Sequence, residues 1–140
     1  MQIFSRIWQR TPSEPLVSVV VASYNHAPFV ADCLRSALSQ GIDPLEIIVT
    51  DDGSTDSTAE QIAALANPRI HLHRFAQNRG ACVALNDAIR RSRGRYIAVL
   101  NSDDLFLPGK LRRQLQHLQQ NPRVGAVFGW PAFINEQGQP

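Results

Sequence analysis

Two pairs of adjacent carboxylates, Asp51-Asp52 and Asp103-Asp104, interrupt otherwise apolar stretches of the chain. Each follows a run suited to a buried strand, Leu45–Thr50 before the first and Tyr96–Leu100 before the second. A third run, Val17–Ala22, gives way to Ser23-Tyr24-Asn25. In an open parallel sheet the carboxyl ends of the strands share one edge, and α/β proteins bind their ligands there. Tyr24, Asp51, Asp52, Asp103 and Asp104 are therefore expected around one mouth. Two acid pairs suit a division of labour in which one meets a divalent cation and the other accepts hydrogen bonds from a ligand. Mg²⁺ and Mn²⁺ favour oxygen, keep waters, and bind through one or two carboxylates plus substrate phosphates. The plainer reading is local: Asp-Asp and Asp-Gly form turns, and Ser54–Asp56 can cap a helix. Either pair alone fits capping better than catalysis. Both at strand ends, with an aromatic at a third, bring the two readings level.

The elements that must position these groups can be read from periodicity. Val17–Ala22 is β-branched and almost continuous, as in a strand covered on both faces. Val30, Cys33, Leu34, Ala37 and Leu38 recur at helical spacing, and Gly41 closes that helix. Ser57 and Glu60 have capping-box spacing and open a helix running to about Ala66, ended by Asn67-Pro68. Ile70–Phe75 alternates weakly and is the least secure strand. Ala81, Ala84, Leu85, Ala88 and Ile89 define a third helix, with Gly94 expected as its C-terminal cap. Tyr96–Leu100 reads as a strand buried on both faces. A helix then begins near Leu107 with Pro108 in its first turn and runs to Gln120. Val124–Phe128 is expected to be a fifth strand, which Trp130–Ile134 continues or pairs with, and Asn135–Gly138 a turn. The order βαβαβαβαβ implies an α/β fold with a mostly parallel sheet and helices on both faces.

Composition narrows the function. The 140 residues suit one domain, and 44% hydrophobic with 19% charged residues is the balance of a soluble globular chain. A formal charge of +2 suits an anionic small ligand and is too small to indicate nucleic acid. The two cysteines, Cys33 and Cys82, lack the paired spacing of a disulfide or zinc site, and read as buried free thiols in a reducing compartment. No apolar stretch reaches the length of a membrane span. Met1–Pro15 reads as a leader and linker without a signal peptide's apolar core. Its Ile3, Phe4, Ile7 and Trp8 could touch a membrane surface peripherally, though a frayed leader is the better reading. The cytoplasm is the expected location, at the membrane's cytoplasmic face if such contact exists. His71 and His73 read as surface or packing residues and His117 as solvated, whereas His26, beside the mouth, is less plain.

Taken together, Val17–Asn25, Ile48–Asp56, Asn78-Arg79-Gly80 and Gly94–Asp104 resemble, in order and spacing, a family 2 glycosyltransferase of the GT-A fold. The resemblance runs from Leu16 to the end, so residues 16–140 would be the nucleotide-sugar-binding portion of such a domain. The chain, stopping after its last strand, reads as truncated. It implies a nucleoside diphosphate sugar donor, a UDP-sugar first of all, a Mn²⁺ or Mg²⁺ cofactor, and glycosyl transfer with inversion to a saccharide or lipid-linked hydroxyl, as in cell-envelope polysaccharide synthesis. Residue by residue, it implies Tyr24 near the nucleotide base and one of Asp51 and Asp52 accepting the base N–H. Asn78, Arg79, Ser102 and Asp104 fall on the donor side. Asp103 matches the last acid of the DxD motif and would be the metal ligand.

Two departures bear on that reading. The motif's first acid is Asn101 here, which leaves less negative charge and implies weaker metal binding. The base that must deprotonate the acceptor belongs to a later segment, and Glu136 is the only acid after Asp104. The catalytic base is therefore expected beyond Pro140, and Trp130 and Phe133 could drive self-association through an uncovered edge. An alternative is a non-catalytic nucleotide-sugar or carbohydrate-binding domain. A phosphorylatable receiver module is disfavoured because its acid pair would follow the first strand. A nucleotidyltransferase would need a Gly-rich basic loop that Ser23–Pro28 lacks.

Overall fold

A computed structural model of the chain describes residues 14–135. Residues 1–13 of the leader and Glu136 lie outside the described residues. The elements are β1 (Val17–Ser23), α1 (Val30–Leu38), β2 (Leu45–Asp51), α2 (Thr58–Ala64), β3 (Ile70–Arg74), α3 (Ala81–Arg91), β4 (Tyr96–Val99) and α4 (Lys110–Gln120). The strands pair in parallel in the order β3-β2-β1-β4.

Strand periodicity divides the core into two layers. Val17, Val19 and Val21 of β1 and Leu45, Ile47 and Val49 of β2 face one side of the sheet. There they meet Val30, Cys33, Leu34 and Ala37 of α1, Ile62 of α2 and Leu111 of α4. Val20 and Ile48 face the other side and pack on Ala88, Leu85 and Ile89 of α3. Helices thus cover both faces, as a continuous β-branched run requires. The chain steps outward from β1 to β2 to β3, then crosses to place β4 on the opposite side of β1. Such a reversal opens a crevice at the carboxyl ends of the two strands involved. The site sits there.

Several sequence expectations need correction. β4 is an edge strand, and Ile97 and Val99 are 47% and 51% exposed. α3 packs over β1 and β2 and leaves that face of β4 open. Val124–Phe128 forms no strand, because it joins no ladder, and Phe128, Trp130 and Phe133 are exposed. The described elements therefore end on α4. That helix starts at Lys110 rather than Leu107, since Gly109 at φ +74° turns the backbone away from helix just after Pro108. α2 is capped by Asp56, not Ser57: its carboxylate accepts the amide and hydroxyl of Thr58 and the amide of Ala27. Those bonds, led by the Thr58 hydroxyl, hold the Asp56 carboxyl below the usual range.

Gly94 is not a helix cap. A Cβ there would lie 2.4 Å from the amide nitrogen of Ser18, so the position demands close backbone approach. Ser18 Oγ accepts the Gly94 amide and donates to the buried Glu46, which also takes the amide and guanidinium of Arg93. Burial opposes ionisation of Glu46, but these bonds outweigh it and lower its pKa. Cys82 is exposed rather than buried.

Candidate functional site

The strand ends converge as the topology requires. A cleft of about 510 Å³ opens between the loops after β1 and β4, bounded by the start of α3. Tyr24, Asp52, Asn78, Ser102 and Asp103 line it, with Ser23, His26, Cys82 and Asn101 also in the wall. Asp51, Arg79 and Asp104 do not line it.

The first acid pair divides because consecutive residues at a strand end point in opposite directions. Asp51 is fully buried and turned into its own loop. It accepts the amide and hydroxyl of Ser54 and pairs with Arg74 Nε at 3.1 Å, while Arg74 also reaches the Ser54 carbonyl. Asp52 faces the cleft. Its two oxygens accept the amides of Arg79 and Gly80 at 2.7 and 2.8 Å, holding the negative charge at the N-terminus of α3 where the helix dipole favours it. Gly53, at φ +74°, lets this loop touch the next: a Cβ there would sit 2.6 Å from the Gln77 carbonyl carbon. The Asn78-Arg79-Gly80 segment is thereby pressed against Asp52. The Arg79 guanidinium lies 4.9 Å over the Phe75 ring, and the residue's backbone amide is what holds Asp52.

The second acidic loop is fastened from behind by one ridge of α1 and by Gln40 in the turn just after it. Cys33 Sγ donates to the Asn101 carbonyl, Ser36 Oγ accepts the Phe106 amide, and Gln40 bridges the Leu107 carbonyl and the Leu111 amide. Amide and hydroxyl bonds of this kind contribute about 1 kcal/mol each, and the thiol, a weak donor, less. Burial, then the charges of Asp104 and Asp103, push the Cys33 thiol up to about 12, so it remains a donor. Asp104 accepts the side-chain amide of Asn101 at 2.9 Å. Asp103 is exposed at the cleft wall, and its carboxylate has no hydrogen bond or ion pair among the described residues. Tyr24, 42% exposed, adds an aromatic side chain to the lining from the loop after β1.

Sequence reasoning left His26 undecided and passed over Ser23. His26 Nδ1 lies 2.6 Å from Ser102 Oγ. Ser23, 2% exposed, is a buried hydroxyl without a partner among the described residues. The signal for both was adjacency to Tyr24 on the loop after β1.

A divalent cation fits this donor set in a limited way. No group of three or more His, Cys, Asp or Glu side chains is placed to hold a metal among the described residues. Asp103 nevertheless offers a free, exposed carboxylate beside space for phosphates, which matches how Mg²⁺ and Mn²⁺ bind with a nucleotide.

A parallel α/β sheet with a strand-end cleft is general to ligand-binding α/β folds, and likeness to solved structures narrows it to the GT-A glycosyltransferase fold. Residues 18–139 match the family model described as glycosyl transferase family 2, and the chain belongs to that family. It is 36% identical over 129 residues to a protein of Bacillus subtilis (strain 168) named as a teichuronic acid biosynthesis glycosyltransferase, TuaG, covering 91% of this chain and 51% of that one. It is 35% identical over 128 residues to a chondroitin synthase of Escherichia coli, covering 89% of this chain and 18% of the synthase. Among solved structures, the mannosyltransferase PcManGT of Pyrobaculum calidifontis, in complex with GDP-Man and Mn²⁺, superposes with a TM-score of 0.72 at 30% identity. That match covers 81% of this chain and 35% of the mannosyltransferase. The chain thus spans about half or less of the length of these relatives. No helix among the described residues is long and apolar enough to cross a membrane.

Proposed function

We propose that the chain is the donor-binding half of a metal-dependent, inverting glycosyltransferase that moves a sugar from a nucleoside diphosphate sugar, a UDP-sugar first of all, to a hydroxyl of a saccharide or lipid-linked acceptor. The observation that carries this reading is the convergence of Tyr24, Asp52 and the unpaired Asp103 on one cleft at the β1/β4 crevice.

Each residue then has a task its surroundings suit. Tyr24 flanks the nucleotide base. Asp52, rather than Asp51, accepts the base N–H: a carboxylate has about four acceptor sites, and two already serve α3. Asn78 lines the cleft on the donor side, its side-chain oxygen accepting the Gly80 amide. Asp103 holds the cation, and Ser102 shapes the loop that carries it. Asp51, Arg79 and Asp104 act from behind, through the Ser54 loop, the Asp52 amide contact and the Asn101 bond. When bound, Mn²⁺ or Mg²⁺ stabilises the charge growing on the departing diphosphate as a Lewis acid. With Asp103 the one cleft carboxylate not already bonded to the protein among the described residues, cation affinity depends on the nucleotide's own phosphates. The base that deprotonates the acceptor lies outside the described residues. Unpaired Cys33 and Cys82 favour a reducing, cytoplasmic setting.

The test is transfer by a longer chain that continues past Pro140, assayed with UDP- and GDP-sugars and Mn²⁺, with the product anomer read by NMR. Inverted product supports the reading. Donor binding without transfer or hydrolysis would instead make this a nucleotide-sugar-binding domain.

A further inference from the structure

We propose that His26 is a positioning residue for the acidic loop, acting through Ser102 to keep Asp103 facing the space where a metal-bound diphosphate would lie. The proposal rests on the donor-site reading above for what Asp103 does, but its structural half stands without it.

His26 is fixed before its ring is considered. Its amide donates to Thr58 Oγ1 at 2.9 Å, and its carbonyl accepts the amides of Phe29 and Val30 at the entry to α1. The next amide, of Ala27, is held by the Asp56 carboxylate at 3.1 Å. The Phe29 ring stands edge-on to the imidazole at 6.1 Å between centroids. A side chain rooted this firmly can transmit position. Its Nδ1 meets the hydroxyl of Ser102, which is 2% exposed, at 2.6 Å across 76 residues of sequence.

Ser102 lies inside the tight turn closed by the Asp104 amide on the Asn101 carbonyl. Consecutive side chains leave such a turn in different directions. Drawing Ser102 inward therefore sends its neighbour Asp103 outward, to the cleft wall where it is found. Cys33 tethers the Asn101 carbonyl from the α1 side, so the loop has a backbone anchor before Ser102 and a side-chain anchor on it. The Asp103 carboxylate has no anchor of its own among the described residues. Its direction is inherited from Ser102, and through Ser102 from His26.

An Asn amide can occupy the place of Nδ1 on the same short stem, and Ala cannot. Two readouts separate the parts of the proposal. The first is amide hydrogen exchange of Ser102–Asp104 in the ligand-free 140-residue chain. His26→Ala should speed exchange there while leaving β1 and β2 protected, and His26→Asn should restore wild-type protection. The second is calorimetric titration of UDP with and without Mn²⁺. His26→Ala should weaken the Mn²⁺-dependent affinity about tenfold, the lower end of the range for residues that orient a metal ligand. Because His26 also stands in the cleft wall, metal-free UDP binding should fall too, but by less than the Mn²⁺-dependent affinity, with His26→Asn again close to wild type. Unchanged loop exchange in His26→Ala would overturn the proposal whatever the ligand does. So would equal losses with and without Mn²⁺, or failure of Asn to rescue. A wild-type chain that binds no UDP would instead remove the donor-site reading, and the exchange data alone would then decide whether His26 positions the loop.

Discussion

The side-chain amide of Asn101 donates to Asp104 Oδ2 at 2.9 Å. An acid in place of Asn101 could not make that bond when ionised, so the amide does something the expected acid would not. It orders Asp104 and leaves Asp103 as the member of this acid pair turned to the cleft. Asn101→Asp should replace this bond with two like charges and destabilise the ligand-free chain by about 0.5–1 kcal/mol, the scale of exposed charge pairs. The added charge should also tighten Mn²⁺ binding in the presence of UDP. Urea melts of the apo protein and Mn²⁺ titrations check the two effects. Unaltered stability would mean the bond contributes nothing.

The two thiols should react very differently. Cys33 is buried and pushed up to about 12, first by burial and then by Asp104 and Asp103. Cys82 is exposed on the cleft wall near the start of α3. Iodoacetamide near pH 8 should label Cys82 alone in the folded chain, and both cysteines in denaturant. UDP with Mn²⁺ should slow Cys82 labelling in proportion to occupancy. Mass spectrometry after tryptic digestion reads both results, and labelling indifferent to nucleotide would place the ligand elsewhere.

Asp87 sets a pH dependence at the other end of α3. Burial opposes its ionisation, but bonds from Arg91 Nε, His73 Nδ1 and Thr50 Oγ1 outweigh that and take the carboxyl from 3.8 to about 2. A carboxyl with a depressed folded pKa contributes stability above its unfolded value and loses it as pH falls through the folded one. The contribution of Asp87 should therefore be complete above pH about 4 and fade toward pH about 2. The difference in urea midpoint between wild type and Asp87→Asn should shrink across that window. A constant difference would show that ionised Asp87 is not what binds α3 to β2 and β3.

Much of this arrangement was legible in the chain, for a physical reason. Val17–Val21 and Leu45–Val49 read as strands because each is covered on both faces, and continuous β-branched runs have few other uses. Tyr96–Leu100 has the same look, yet Ile97 and Val99 are exposed. An apolar run does not say whether a neighbour lies beside it, and β4 is at the edge. Val124–Phe128 fails for the same reason: a strand exists only through its ladder. The candidate site shows the limit more sharply. Asp51 and Asp52 are indistinguishable as letters, and the pleat alone sends one into a turn and the other to the cleft. Cys33 and Ser36 on α1, with Gln40 just past its end, look like blemishes on an amphipathic pattern until the acidic loop lies against them. Nothing local in the sequence tells that His26 meets Ser102.

The central claim is that Asp103 gives the cleft its metal-dependent grip on a nucleoside diphosphate. The most direct measurement is thermal stability of wild type and Asp103→Ala with UDP alone, Mn²⁺ alone, and both. Wild type should gain ~2.7 kcal/mol when UDP with Mn²⁺ is present at about a hundred times its Kd, and little from Mn²⁺ alone. Asp103→Ala should lose the metal-dependent gain and keep any stabilisation from UDP alone. A wild-type chain indifferent to UDP with Mn²⁺, or an Asp103→Ala chain that gains as much as wild type, would contradict the account.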